Sequence, residues 1–226
     1  MENEIKILVV DDHQLIVDGI LLALSKFPNY KVSSTNICDD AFSILKDAAG
    51  SNDAFDILFT DLSFENITDQ SKIDGGESLI RAVRENEIPL KVGVITGHTE
   101  TNRVFNVISN LKPDTYILKN HCTSDELNFA IQKMMSGGVF YTHEIHAKIM
   151  KRNIIQIQMD ESAIQILQEL PKHPKISNLE GKIKKSDGKY MKIRAIENKL
   201  ANLRIDLDAN NNTDLVLKAK KLGIID

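Results

Sequence analysis

The stretch Ile5-Lys6-Ile7-Leu8-Val9-Val10-Asp11-Asp12-His13 (IKILVVDDH) decides the fold of this chain. Its apolar run reads as a buried strand that ends abruptly in two adjacent carboxylates. From His13 onward Leu15, Ile16, Ile20, Leu21 and Leu24 recur at helical spacing as far as Pro28. The same alternation of strand and helix repeats over residues 30–35 and 41–49, 55–60 and 76–85, 90–96 and 101–110, and 115–118 and 125–136. Five βα units in roughly 135 residues suit ordinary element lengths. Thr123-x-x-Glu126 is a capping-box pattern for the fifth helix, and Gly137-Gly138 is its stop. Right-handed crossovers between such units place helices on both faces of a parallel sheet, so a doubly wound, five-stranded parallel α/β domain is expected over residues 1–140.

Beyond it no strand of comparable strength follows. Residues 141–158 read as a linker helix and residues 159–226 as a small all-α domain. Its first helix, over 162–170, lies behind the capping residue Asp160. A second, over 191–203, carries Ile193, Ile196, Leu200 and Leu203 on one face. A last, over 213–222, is capped by Asn212 or Thr213 and ended by Gly223.

The 226 residues suffice for two such domains. With 42% hydrophobic and 27% charged residues, and no apolar run near the roughly 18 residues that cross a bilayer, a soluble protein that spans no membrane is expected. MENEIKILVV lacks the basic start and long apolar centre of a secretory signal, which points to the cytoplasm, with Cys38 and Cys122 as reduced thiols. Charge is divided unevenly. Residues 1–150 hold 13 basic and 22 acidic side chains, and residues 151–226 hold 15 and 10. The densest basic tract, 171–204, sets ten Lys/Arg against Glu180, Asp187 and Glu197. An acidic half and a basic half suggest different partners.

In open parallel sheets, sites form beyond the carboxyl ends of the strands. Those ends carry Asp11-Asp12 on strand one, Asp61 on strand three, Thr96 on strand four and Lys119 on strand five. Carboxylates about 4 Å apart repel by roughly 4 kcal/mol per pair at an effective dielectric near 20, so a cation must balance them. An all-oxygen cluster suits Mg²⁺, and an ammonium and a hydroxyl beside it suit the oxygens of a phosphoryl group on one carboxylate.

With these residues in this order, the first 140 residues resemble the receiver domain of a two-component response regulator, of the CheY-like fold. The resemblance implies that Asp61 accepts a phosphoryl group from a sensor histidine kinase. It further implies that Asp12 and Asp61 bind Mg²⁺ with the carbonyl of Ser63, that Asp11 supports the metal, and that Thr96 and Lys119 contact the phosphoryl group. Thr96 and Tyr116 would be the switch residues, with Tyr116 rotating inward on phosphorylation. Such a domain is no enzyme beyond slow self-catalysed phosphotransfer and dephosphorylation. Two departures stand out. The loop SFENITDQSKI before Asp74-Gly75 is several residues longer than in receivers and lacks their Pro, and it could cover the site or dock a partner. His98 sits two residues after Thr96, where receivers can tune phosphoryl lifetime; as a lone histidine it reads as an exposed loop residue.

The last segment more faintly resembles the LuxR/NarL-type helix-turn-helix output domain, best over residues 196–225. In that resemblance LEGKIKKSDGKYMK lacks the scaffold-helix pattern, and Asp206-Leu207-Asp208 replaces a Lys-Leu-Gly. The helix over 191–203 leaves Arg194, Asn198 and Asn202 opposite its apolar face, where they could read base edges in a major groove, while Lys182, Lys184, Lys185, Lys189, Lys192 and Lys199 could pair with phosphates. Double-stranded DNA and a homodimer of the phosphorylated form are the partners this implies; the alternative is an output domain that binds another protein. A haloacid-dehalogenase-type phosphatase is disfavoured because the acids are adjacent instead of Asp-x-Asp, and no G-x-G-x-x-G follows strand one.

Overall fold

The computed structural model describes residues 4–65 and 71–225. Contacts divide the chain into two compact units, residues 1–99 with 107–145, and residues 100–106 with 146–226. Residues 66–70 of the long loop lie outside the described residues.

The first unit alternates β1 (Ile5–Val10), α1 (Gln14–Leu24), β2 (Tyr30–Thr35), α2 (Cys38–Ala48), β3 (Ile57–Thr60), α3 (Gly76–Glu85), β4 (Lys91–Thr96), α4 (Thr101–Leu111), β5 (Thr115–Leu118), α5 (Ser124–Met135) and β6 (Phe140–Tyr141). The sheet order is β2-β1-β3-β4-β5-β6 with every pairing parallel, the doubly wound arrangement expected. The sixth strand was not expected. Its two residues are too few to show any alternation, and β5 pins them, Thr115 Oγ1 donating to the Phe140 carbonyl at 2.6 Å.

Both faces of the sheet are covered, so the central strands read as unbroken apolar runs. Ile7, Val9, Ile57, Phe59, Ile95 and Ile117 pack with Ile20 and Leu24 of α1 and Leu127 and Ile131 of α5. Leu8, Val10, Leu58 and Val94 point to the other side, and all four are fully buried. Gly93 of β4 faces Phe59 in register, and a β-carbon there would stand 2.4 Å from the Phe59 ring.

The second unit contains α6 (His143–Gln158), α7 (Glu161–Glu169), α8 (Ile193–Asp206) and α9 (Asn212–Lys221), with α6 beginning three residues before the unit does. Asp160 caps α7, accepting from the Ala163 N–H at 2.8 Å, and Asn211 caps α9, one residue before the expected position. Ile166, Leu167, Leu179, Ile183, Ile196, Leu200, Leu203 and Leu215 form its core. Asp208 takes φ +52°, filling with an aspartate the left-handed position past α8 where helices usually place glycine. The buried Arg152 of α6 closes the far end of α9, donating to the carbonyls of Leu222 (2.8 Å) and Gly223 (2.7 Å). Between α7 and α8 the described residues form no α-helix. Single 3-10 turns at Leu170–Lys172 and Ile176–Leu179 lead into a hairpin closed by the antiparallel pair Lys184 and Tyr190.

Candidate functional site

Sheet register assembles the strand ends. Val10 pairs with Thr60 and Thr96 with Leu118, so Asp11, Asp61 and Lys119 each come one residue past a paired position. The Asp61 N–H donates to the Val10 carbonyl at 3.0 Å, extending the ladder by one step. Lys119 reaches across the end of the sheet. Its Nζ lies 2.8 Å from Asp11 Oδ2 and 2.7 Å from Asp61 Oδ2. Burial alone would pull the Lys119 ammonium down, but pairing with Asp11 and Asp61 outweighs it and holds its pKa above the ordinary lysine value.

One oxygen of each carboxylate is held from the backbone. Asp61 Oδ1 accepts from the Leu62 N–H at 2.6 Å, Asp11 Oδ1 from the His13 N–H at 2.9 Å, and Asp12 Oδ2 from the Glu65 N–H at 2.5 Å. Asp12 therefore does not cap α1; His13 stands at that position, without a side-chain cap bond. The His13 ring instead turns to the acids, its Nδ1 2.8 Å from Asp12 Oδ1 and 3.2 Å from Asp11 Oδ1. The Asp12 charge raises the His13 pKa against the opposing effect of Lys119.

Three carboxylates facing one ammonium and a half-exposed imidazole leave excess negative charge. Two buried oxygens, Asp11 Oδ2 and Asp12 Oδ1, have as their partners among the described residues only Lys119 and His13, each at 2.8 Å. Ligand atoms of Asp11, His13 and Asp61 all lie within 4.8 Å of one another. Carboxylate oxygens gathered with net negative charge in a part-buried cluster fit a hard divalent ion such as Mg²⁺. His13 was not among the expected metal-site residues. Its signal was its place two residues past Asp11, within reach of that carboxylate through both backbone and ring.

Thr96 is fully buried, and its Oγ1 accepts from the His98 N–H at 3.4 Å. His98 is not the exposed loop residue its sequence suggests. It is half-buried, with Nε2 2.8 Å from Ser63 Oγ, so the loops after β3 and β4 are tied together beside the acids. Tyr116 is fully buried and its hydroxyl donates to the His98 carbonyl at 3.1 Å. The ring thus already occupies the inward position that the resemblance assigns to the phosphorylated form.

Gly75 and Gly76 make the approach of α3 possible. Gly75 has φ +137°, outside the range most side chains tolerate, and a β-carbon on Gly76 would stand 1.7 Å from the Asp61 carbonyl oxygen. The start of α3 is thereby pressed against the backbone that carries the central carboxylate.

In the second unit, Arg194, Asn198 and Asn202 are exposed along one side of α8, spaced by four residues. Lys189 and Lys192 are exposed and loosely paired with Asp187 (3.9 Å) and Glu180 (3.8 Å). Lys199 is differently placed. It forms a close ion pair with Asp160 at the start of α7, its side chain only a quarter exposed, so it joins two helices and is not offered to solvent.

The fold, a doubly wound α/β domain followed by a small helical domain, is shared by solved structures of response regulators. The RcsB response regulator of Salmonella typhimurium aligns over 97% of this chain and 99% of its own with a TM-score of 0.65 and 18% identity. RcsB from Salmonella enterica serovar Typhimurium, bound to a promoter in the presence of the phosphomimetic BeF3⁻, aligns over 97% and 100% with a TM-score of 0.55 and 15% identity. The signal receiver domain of the response regulator NarL from Mycobacterium tuberculosis aligns over 60% of this chain and 98% of that one, with a TM-score of 0.50 and 23% identity. No protein-family model and no curated protein matches the sequence. Among the described residues, no helix is long and apolar enough to cross a membrane.

Proposed function

We propose that this protein is a two-component response regulator in which Asp61 accepts a phosphoryl group from a sensor histidine kinase and thereby switches a DNA-binding second domain that regulates transcription. The observation that carries the reading is the Lys119 ammonium held between Asp11 and Asp61 at 2.8 and 2.7 Å, at the strand ends where three carboxylates gather.

A carboxylate oxygen of Asp61 attacks the phosphorus of a phosphohistidine; the phosphorus–nitrogen bond breaks, the imidazole leaves with its electron pair, and an acyl phosphate forms. Asp12 and Asp61, with the Ser63 carbonyl and support from Asp11, would hold Mg²⁺, whose positive charge would offset the negative charge of the phosphoryl oxygens. Lys119 then exchanges its contact with the carboxylate for one with the phosphoryl group, and the Thr96 hydroxyl turns to donate to it. Charge-assisted hydrogen bonds of about 1.5–3 kcal/mol each approach the roughly 5.5 kcal/mol that carries a population from 1:99 to 99:1. Hydrolysis by water returns the carboxylate, so the protein acts on no substrate but itself.

The solved relative bound to promoter DNA supports a DNA-binding output domain, with Arg194, Asn198 and Asn202 of α8 facing base edges. The phosphorylated protein dimerises to present two reading helices, in the cytoplasm. A protein-binding output domain is the second reading, favoured by Ile205, which is 77% exposed on the same helix. The test is incubation with acetyl phosphate and Mg²⁺ followed by intact mass and DNA footprinting. One phosphoryl group is expected on the wild type and none on Asp61→Asn; equal incorporation by the variant would remove Asp61 as the acceptor.

A further inference from the structure

Resting on the DNA-binding reading, we infer that the hairpin of residues 183–191 is a second DNA-contacting element, one that grips the phosphate backbone while α8 faces the groove. The need for one comes from α8 itself. Its exposed positions carry Arg194 against Glu197 and Asp206, and Lys199 is neutralised by Asp160. That surface has no net positive charge, so a polyanion must be held from elsewhere.

The hairpin supplies that charge on a rigid frame. Both of its ends are buried in the core of the second unit, through Ile183 and Met191, and the Met191 N–H donates to the Ile183 carbonyl at 2.8 Å. The Lys185 N–H donates to the Lys189 carbonyl at 2.9 Å, Gly188 closes the turn at φ +78°, and Asp187 Oδ1 accepts from the Lys189 N–H at 3.0 Å. These backbone bonds and the Asp187 carboxylate hold the shape of the turn. What it presents outward is cationic: among the described residues no acid pairs with Lys182, Lys184 or Lys185, and Lys189 has only Asp187 of its own turn. Tyr190 is half exposed, with the Lys184 Nζ 5.6 Å over its ring. The strand leads through Lys192, the N-cap of α8, directly into the helix, so the lysines stand at the end from which a groove-reading helix enters the DNA.

The test measures binding of the full-length protein, with beryllofluoride and Mg²⁺, to a fluorescein-labelled 30-base-pair duplex by anisotropy between 50 and 200 mM salt. Each phosphate contact contributes about 0.9 to the slope of log K against log salt. The triple variant Lys184→Ala/Lys185→Ala/Lys189→Ala is expected to lower that slope by about 2.7, so that across this range the wild type loses about 40-fold more affinity than the variant. Replacing the same three lysines by arginine should keep the wild-type slope, which separates lost charge from lost folding. A second triple, Lys175→Ala/Lys220→Ala/Lys221→Ala, removes equal charge from exposed positions elsewhere in the unit and should change the slope far less. An unchanged slope in the hairpin variant, or an equal drop in the control triple, overturns the hairpin contact while leaving DNA binding standing. A wild type that binds no duplex overturns DNA binding itself and the hairpin inference with it.

Discussion

Replacing Lys119 by methionine keeps the length and apolar stem of the side chain and removes only its charge. The acceptor oxygens of Asp11 and Asp61 lie within 4.8 Å of one another, and two unit charges at that distance repel by about 3.5 kcal/mol at an effective dielectric near 20. Breaking a buried ion pair by removing one partner costs about 3–5 kcal/mol in general, because such repulsion is left uncompensated. In the presence of a chelator the variant should therefore be about 3–4 kcal/mol less stable to urea than the wild type. Magnesium and the ammonium compete for the same oxygens, so the variant should bind the ion more tightly. An ion at a hundred times its Kd restores about 2.7 kcal/mol, and the urea midpoint of the variant should rise with Mg²⁺ by more than that of the wild type. If Lys119→Met is as stable as the wild type in chelator, or if Mg²⁺ raises both midpoints equally, the lysine is not balancing these acids.

Gly76→Ala sets a methyl group 1.7 Å from the Asp61 carbonyl oxygen and 2.9 Å from Thr60 Oγ1, so α3 or the Asp61 backbone must move; a loss of about 1–3 kcal/mol and a fall in phosphoryl incorporation are expected, against little change for Gly97→Ala, which meets nothing within 4 Å. Thermal unfolding and intact mass check both. Arg152→Met leaves the Leu222 and Gly223 carbonyls unpaired, and about 2–4 kcal/mol should be lost, with faster hydrogen exchange at the end of α9. Burial raises the Asp160 pKa, but its bonds with Lys199, Ala163 and Ser162 outweigh this and hold it below the ordinary value of 3.8. Its contribution is then complete above that value and disappears as pH falls through the lower folded-state pKa. Asp160→Ala should accordingly cost about 1–2 kcal/mol at neutral pH, with the gap to wild type closing below about pH 4 in acid-unfolding curves.

The βα alternation was legible because a parallel sheet covered on both faces writes unbroken apolar strands between amphipathic helices, and Asp11, Asp61 and Lys119 could be placed because each directly follows such a strand. The rest of the site left fainter marks. Ser63 and His98 stand 35 residues apart, and nothing local says that their side chains meet at 2.8 Å. Gly76 looked like an ordinary first residue of a helix, although only the closeness of α3 to Asp61 makes it obligatory. Lys199 read as one more cation in a basic tract until Asp160, 39 residues earlier, was found beside it.

By itself the sequence determined the order of the elements and the chemical type at each strand end, because burial pattern and residue identity are properties of position along the chain. Register, the crossing of Lys119 between two acids, the turning of His13 toward them and the choice of which lysines face water were decided only by the tertiary structure. Each depends on a distance of a few ångströms between residues far apart in sequence, and such distances exist only after the strands have paired and the helices have packed.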